Sequence, residues 1–250
     1  MELSITTNVL RPLDLSDAIT AIGNAGFRAV EIEKAHYRRI VESEDPMEEC
    51  RRARSAADQA GVKVIQLHAL FAITTDRPMD RTLDLAQNTL NLSRELGVRW
   101  VVLHPDSSPG MYEDPEAYAA HRDATVEILT ELATIAEDCQ VGIAVENLPN
   151  YRGVPRFGAF VPELTDLVDA VDSEFIGLCW DTGHAHLAGL DQAKSLRAIG
   201  PRLKALHIQD TDKICDRHWL PMRGEIIWQP VMQALVGIGY DGAFNLELHG

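Results

Sequence analysis

Eight short, nearly continuous apolar runs recur along the chain, and stretches of helical composition separate most of them. The runs are Leu3–Leu10, Ala29–Glu33, Val62–His68, Trp100–Pro105, Val141–Asn147, Ile176–Asp181, Leu203–Asp210 and Ala243–His249. A strand that is apolar on both faces has helices on both sides, which is the environment of a parallel sheet in an α/β protein. The separating helices are expected from Leu13-Asp14 toward Gly26, then over Pro46–Ala60, Asp80–Leu96, Pro115–Cys139, Val161–Val171, Leu190–Ile199 and Trp228–Ile238. Gly61, Gly97 and Gly239 stand where such helices stop, and Pro162 sits in a first turn. The residues after Glu33 read as a charged loop.

Eight units favour a closed (β/α)8 TIM barrel over an open, doubly wound sheet, and one such barrel takes about 250 residues. At 250 residues, with no Pro-, Gly- or Ser-rich tract to act as a linker, residues 1–250 read as one barrel domain. The sequence ends directly after the eighth run, so the eighth helix is expected to be missing.

A formal net charge of −15 disfavours polyanionic ligands unless basic residues gather on one face, and suits a neutral small molecule. Cys50, Cys139, Cys179 and Cys215 are widely spaced and form no Cys-x-x-Cys pair. Without a secretory segment or an apolar run near the roughly 18 residues of a membrane span, the cytoplasm is the expected compartment. The expected partner is a small-molecule sugar, with neither nucleic acid nor membrane, and self-association into a homo-oligomer is left open.

The sixth run ends in Asp181-Thr182-Gly183-His184-Ala185-His186. A carboxylate and two imidazoles so close together suit a divalent cation such as Mn²⁺, Zn²⁺, Co²⁺ or Mg²⁺. The same residues also suit a helix N-cap, with Asp181 or Thr182 satisfying free amides. The other runs tip the balance. Glu31 or Glu33 lies in the second, and His68, His104, Glu146, Asp181, His207 and Glu247 stand at or near the ends of the third to the eighth. In a barrel these ends converge on one face, where barrel enzymes place their chemistry. Core packing alone would not place so many ionisable groups there, because buried carboxylates require partners or a metal.

The segments Val145-Glu146-Asn147, Trp180-Asp181-Thr182-Gly183-His184, Leu206-His207-Ile208-Gln209-Asp210, Asp216-Arg217-His218 and Leu246-Glu247-Leu248 resemble the xylose-isomerase-like barrels. That family holds sugar isomerases, ketose 3-epimerases, sugar-acid dehydratases and, as a sister branch, zinc-dependent apurinic endonucleases. In the epimerase branch the resemblance implies one divalent metal held by Glu146, Asp181, His207 and Glu247. Glu146 and Glu247 double there as the acid–base pair, and His184 and Arg217 contact sugar hydroxyls. His68 and His104 are expected to line the same pocket, and Asp216 and His218 to line it or hold a second metal, possible additional zinc included. Relatives usually carry Pro-Gly-x-Gly-x-Ile-x-Trp where this chain has Pro221-Met222-Arg223-Gly224-Glu225-Ile226-Ile227-Trp228, so the first glycine of the seventh loop is replaced.

Proton removal next to a hydroxy-ketone needs a base and a Lewis acid for the developing enediolate oxygen. Paired carboxylates favour epimerisation, a single well-placed one a 1,2-shift, and loss of water starts from the same abstraction. The expected function is a metal-dependent sugar isomerase or epimerase, with a keto-sugar dehydratase or an apurinic endonuclease as alternatives. Trp219 and Trp228 are candidates for the substrate's apolar face, and His121 is expected on a solvated helix face.

Overall fold

The structure, a computed structural model, describes residues 1–106, 112, 114–150 and 154–249. Eight strands form one parallel sheet: β1 (Glu2–Thr6), β2 (Ala29–Ile32), β3 (Lys63–His68), β4 (Trp100–Leu103), β5 (Gly142–Glu146), β6 (Ile176–Asp181), β7 (Leu203–His207) and β8 (Ala243–Leu246). Their order is β7-β6-β5-β4-β3-β2-β1-β8, with every laddered neighbour parallel. The ring closes beyond the end of β7, where Ile208 N–H donates to Asn245 O at 2.8 Å and Glu247 N–H to Ile208 O at 3.0 Å. The fold is therefore the expected TIM barrel.

Nine helices are present among the described residues: α1 (Leu15–Asn24), α2 (Lys34–Val41), α3 (Pro46–Ala60), α4 (Met79–Leu96), α5 (Pro115–Cys139), α6 (Val161–Val171), α7 (Thr182–Leu187), α8 (Gln192–Ile199) and α9 (Trp228–Gly237). Local chemistry sets their ends. Asp45 accepts the Glu48 N–H at 3.0 Å ahead of Pro46, and Asp114 accepts the Glu116 N–H at 2.9 Å ahead of Pro115. Gly61 closes α3 at φ +65°, a conformation that costs a side chain but not glycine. No helix is described after β8, and none of the described helices is long and apolar enough to cross a membrane.

Apolar helix faces, among them Ile19, Leu90, Leu129, Leu164, Leu196 and Leu235, cover the outside of the barrel and are buried. The inside is built in layers. At the bottom the Trp100 ring fills space that Gly142 leaves; a Cβ at Gly142 would lie 2.2 Å from that ring. Above it Val102, Ala144, Cys179 and Ala205 pack as a separate cluster of small side chains. Side chains return to the same face every second residue of a strand. The next inward positions are thus His104, Glu146, Asp181 and His207, with small residues beneath them leaving room for polar groups.

Four expectations need correction. The first strand stops at Thr6, and Thr7–Leu10 form a 3-10 turn in which Thr6 Oγ1 accepts the Asn8 N–H at 3.3 Å. The charged stretch after β2 is helix α2, capped by Glu33, whose carboxylate accepts the Ala35 N–H at 2.8 Å. Strands β7 and β8 end before Asp210 and His249. His121 is buried, its ring edge-on to Phe157 at 5.0 Å, because it shares the inward stripe of α5 with Thr125 and Leu129.

Candidate metal centre

The carboxyl ends of β2 to β8 bring Glu31, His68, His104, Glu146, Asp181, His207 and Glu247 together, and all but His104 and Glu247 are buried. Glu146 is the hub. Its Oε1 lies 2.9 Å from His207 Nδ1 and 3.5 Å from His184 Nδ1, and its Oε2 lies 2.8 Å from His104 Nε2 and 3.3 Å from His68 Nε2. His207 stands between carboxylates: its Nδ1 is 3.5 Å from Glu247 Oε2, and its Nε2 is 2.9 Å from Glu31 Oε1.

Asp181 serves two structural tasks as well. Its Oδ1 accepts the His184 N–H at 2.6 Å, so the capping alternative raised by the sequence is realised on α7. Its backbone N–H donates to Asn147 Oδ1 at 2.6 Å, and Asn147 Nδ2 donates to Asp181 O at 3.0 Å, which ties β5 to β6 side by side. The Gln209 amide reaches both Asp181 oxygens, at 3.3 and 3.2 Å, and Asp216 Oδ1 at 2.5 Å. Asp216 Oδ2 in turn lies 3.1 Å from His184 Nε2 and 3.1 Å from His218 Nε2.

The two glutamates sit in opposite electrostatic environments. Burial alone would raise the Glu146 carboxyl, but the His207 and His104 imidazoles outweigh it and hold the group well below the ordinary carboxylate range. Burial raises Glu247 to about 8; the His207 charge opposes this, while Glu146 and Asp181 reinforce it. Burial opposes charge on His184 and His218 too, yet Asp181 and Asp216 raise the first to about 10, and Asp216 and Glu247 raise the second to about 9. His68 is lowered to about 3 by burial.

Glu146, Asp181, His207 and Glu247 each offer one ligand atom, all within 4.8 Å of one another. Glu247 Oε2 is buried and accepts no hydrogen bond, although imidazole nitrogens stand 3.5 Å away on two sides. Three carboxylates and one imidazole around an unsatisfied buried oxygen fit a divalent cation, which offsets the cost of desolvating that much negative charge. His68, Glu146 and His207 form a second, overlapping trio.

Arg217 lies apart from this cluster in its contacts. It donates to Asp212 Oδ2 at 3.0 and 2.8 Å and lies over the Trp219 ring, 5.5 Å from its centroid. Trp228 uses its indole N–H to hold Asp210 at 2.9 Å. Asn147 and Gln209 stand in the family-like segments without a role that the sequence assigns, Asn245 carries no signal of its own, and Glu31 is not separated from Glu33 by sequence. Two-residue spacing from His207 and from Glu247 would have placed Gln209 and Asn245 on the inner face. Asn147 follows Glu146 on the opposite face, and only the partnership with β6 explains it.

The family described as xylose isomerase-like TIM barrel matches residues 19–250. An uncharacterized protein of Methanocaldococcus jannaschii is 29% identical over 99% of this chain and 83% of its own length. Inosose isomerase of Bacillus velezensis is 28% identical over 75% of this chain and 67% of its own. D-psicose 3-epimerase of Enterocloster bolteae is 31% identical over 50% of this chain and 40% of its own, so that match spans less than half of the relative. Among solved structures, a D-tagatose 3-epimerase-like protein superposes with a TM-score of 0.81 at 24% identity, covering 99% of this chain and 91% of its own. The IOLI protein with a bound zinc atom also gives 0.81, at 21% identity, covering 99% and 89%. Both superpositions support the fold.

Proposed function

The chain belongs to the xylose isomerase-like TIM barrel family, and from its site we propose that it is a divalent-metal-dependent sugar isomerase or epimerase. The substrate class is a keto-sugar or related polyol, and the reaction is proton transfer through an enediolate. The observation that carries this reading is geometric: the Glu146 and Glu247 carboxylates both face His207 Nδ1, at 2.9 and 3.5 Å, and with Asp181 they form one donor set within 4.8 Å at the carboxyl ends of the strands. Two carboxylates beside one Lewis-acid position suit removal and return of a proton at the same carbon.

Glu146, Asp181, His207 and Glu247 would hold the cation, Mn²⁺, Zn²⁺, Co²⁺ or Mg²⁺. When bound, it supplies Lewis-acid polarisation of a carbonyl and its neighbouring hydroxyl. The charged Glu146 takes the proton from the carbon beside the ketone, and the C–H electron pair becomes the double bond of the enediolate. Glu247, once it has taken a proton from solvent, returns it to that carbon from the other side, which inverts it, and Glu146 gives its own proton up to solvent. In the reverse direction the roles exchange. His68, His104 and His184 stand beside Glu146, and His184, whose Nδ1 faces Asn147 O at 2.8 Å and whose Nε2 faces Asp216 Oδ2 at 3.1 Å, donates to a sugar oxygen only by exchanging the Asp216 contact. Arg217 reaches a sugar hydroxyl only after leaving Asp212. The relatives named inosose isomerase and D-psicose 3-epimerase support the reaction class. Incubating metal-loaded protein with a ketose panel in deuterated water tests it. Deuterium enters at the carbon beside the ketone as product forms; turnover with no exchange would replace proton transfer by a hydride shift.

One observation favours a second reading. Asp216 bridges His184 and His218 at 3.1 Å each, beside His68 and His104, a donor set able to take further zinc for phosphodiester cleavage. Affinity for DNA grows with the number of phosphates neutralised, and here 23 basic residues face 38 acidic ones. The small-molecule reading is therefore preferred, and nicking of abasic duplex DNA by zinc-loaded protein at physiological salt would reverse the choice.

A further inference from the structure

Glu31 is 1% exposed on β2, and it faces an imidazole across the barrel that the proposed function uses as a metal ligand. One of its oxygens, Oε1, lies 2.9 Å from His207 Nε2. The other, Oε2, accepts from the Asn245 amide, itself 0% exposed. Both oxygens of a fully buried carboxylate are thereby committed, one to His207 and one to β8. Apart from Glu31, Glu146 and Glu247, no carboxylate among the described residues lies within 4.0 Å of a His207 ring nitrogen. His207 Nδ1 faces the opposite way, toward Glu146 Oε1 at 2.9 Å and Glu247 Oε2 at 3.5 Å.

We propose that Glu31 is a positioning residue for the metal centre: it takes the Nε2–H of His207 and so fixes the imidazole in the tautomer whose Nδ1 lone pair points into the Glu146–Asp181–Glu247 donor set. An imidazole presents only one basic nitrogen when neutral, and the group bonded to its other nitrogen decides which one. A carboxylate in that place also makes the ligating nitrogen a stronger donor, and loss of such a partner weakens metal binding about 10- to 100-fold. Asn245 completes the arrangement by holding Glu31 from β8, on the far side of β1, so that ring orientation is set through β2 and β8 rather than by the ligands alone. Glu33, the other acidic residue of this stretch, cannot substitute, because its carboxylate is spent on the N-terminus of α2.

This inference rests on the metal-site reading above, and the test separates the two. Zn²⁺ is titrated into metal-free wild-type protein and into Glu31→Gln and Glu31→Leu, with folding checked by circular dichroism. Two-bond ¹H–¹⁵N spectra of ¹⁵N-histidine protein report which His207 nitrogen carries the proton. Wild type binds with the proton on Nε2. Glu31→Gln, which keeps an acceptor but loses the charge, binds about 10-fold more weakly, and Glu31→Leu about 100-fold more weakly with the Nε2–H signal lost or shifted. Should both variants fail to fold, Asn245→Ala, which leaves Glu31 in place, weakens Zn²⁺ binding and broadens the same signal. Wild-type affinity in folded Glu31 variants, or in Asn245→Ala where only that variant folds, overturns the role of Glu31 alone. A wild-type protein that binds no divalent cation overturns it together with the metal site.

Discussion

The backbone N–H of Met222 donates to the Asp210 carboxylate at 2.8 Å, and Met222 makes this bond with φ at +72°. Asp210 is fully buried and also accepts from Thr211 N–H at 2.9 Å, Ile226 N–H at 3.1 Å and the Trp228 indole at 2.9 Å. One carboxylate thus organises the loop that carries Asp216 and His218. The turn survives the replacement of the glycine expected from related sequences, at the cost of a left-handed residue with a side chain.

Met222→Gly removes that strain, about 1–2 kcal/mol, against about 0.5–1 kcal/mol of added chain entropy. The side chain is 85% exposed and contributes little packing. Thermal unfolding of the metal-free protein should therefore rise by roughly 1–3 °C. Asp210→Ala should lower it by far more, since four donors lose their acceptor. A fall in melting temperature for Met222→Gly would show that the loop does not need the left-handed turn.

Asp181 combines a place in the proposed donor set with a cap on α7, and two substitutions separate these. Asp181→Asn keeps an N-cap acceptor, so the metal-free melting temperature stays close to wild type, while divalent-metal affinity falls more than about 100-fold. Asp181→Ala loses the same affinity and, in addition, about 1 kcal/mol of metal-free stability. Isothermal titration and melting curves on both proteins check this, and undiminished metal content in either removes Asp181 from the donor set.

The barrel was legible because its eight apolar runs owe their pattern to burial on both faces, a property of the strands themselves. Helix α2 escaped notice because Lys34–Val41 buries only Tyr37 and Ile40 as apolar anchors, together with His36, too few to mark a period. That omission had a consequence at the site. Without α2, Glu33 had no capping task, and nothing distinguished it from Glu31 as the inward carboxylate. The convergence of Glu146, Asp181, His207 and Glu247, the proposed donor set, could be inferred from strand-terminal residues and the family resemblance. The opposite shifts of Glu146 and Glu247 could not, since His207 faces both and the difference depends on His104 standing 2.8 Å from Glu146 while burial dominates at Glu247.

Metal binding should strengthen steeply with pH. Glu247 must lose a proton from a group raised to about 8, and His207, where burial opposes the charge but Cys179 and the Glu247, Glu31 and Glu146 carboxylates raise it well above its usual value, must lose another. Affinity therefore climbs between pH 6 and 8, with protons released on binding. The metal-free fold changes in the opposite sense. A carboxyl raised on folding contributes stability that is complete below its unfolded value, about 4.3, and is lost as pH rises through 8. His184 and His218 contribute in the same direction, fully below about 6.5 and lost toward 10 and 9. Calorimetric titration in buffers of different ionisation enthalpy, with melting curves from pH 5 to 9, measures both trends. A pH-independent affinity would mean that neither group is displaced from its proton by the metal.

The two glutamates should fail in complementary ways when each is changed to glutamine. With two bases on opposite sides of one carbon, Glu247→Gln leaves Glu146 able to remove and replace a proton on its own side. One epimer of the substrate pair then takes up solvent deuterium without being inverted. Glu146→Gln leaves the other side active and exchanges the other epimer. Interconversion should fall by at least about 100-fold in each variant, the ordinary contribution of a positioned acid or base. Both substitutions retain an oxygen ligand, so the metal content of each variant must be measured alongside. The decisive reading is NMR of both purified epimers in deuterated water. Exchange confined to one epimer per variant, opposite in the two, fixes which carboxylate serves which side. If either variant interconverts the epimers at the wild-type rate, Glu146 and Glu247 are not the proton-transfer pair.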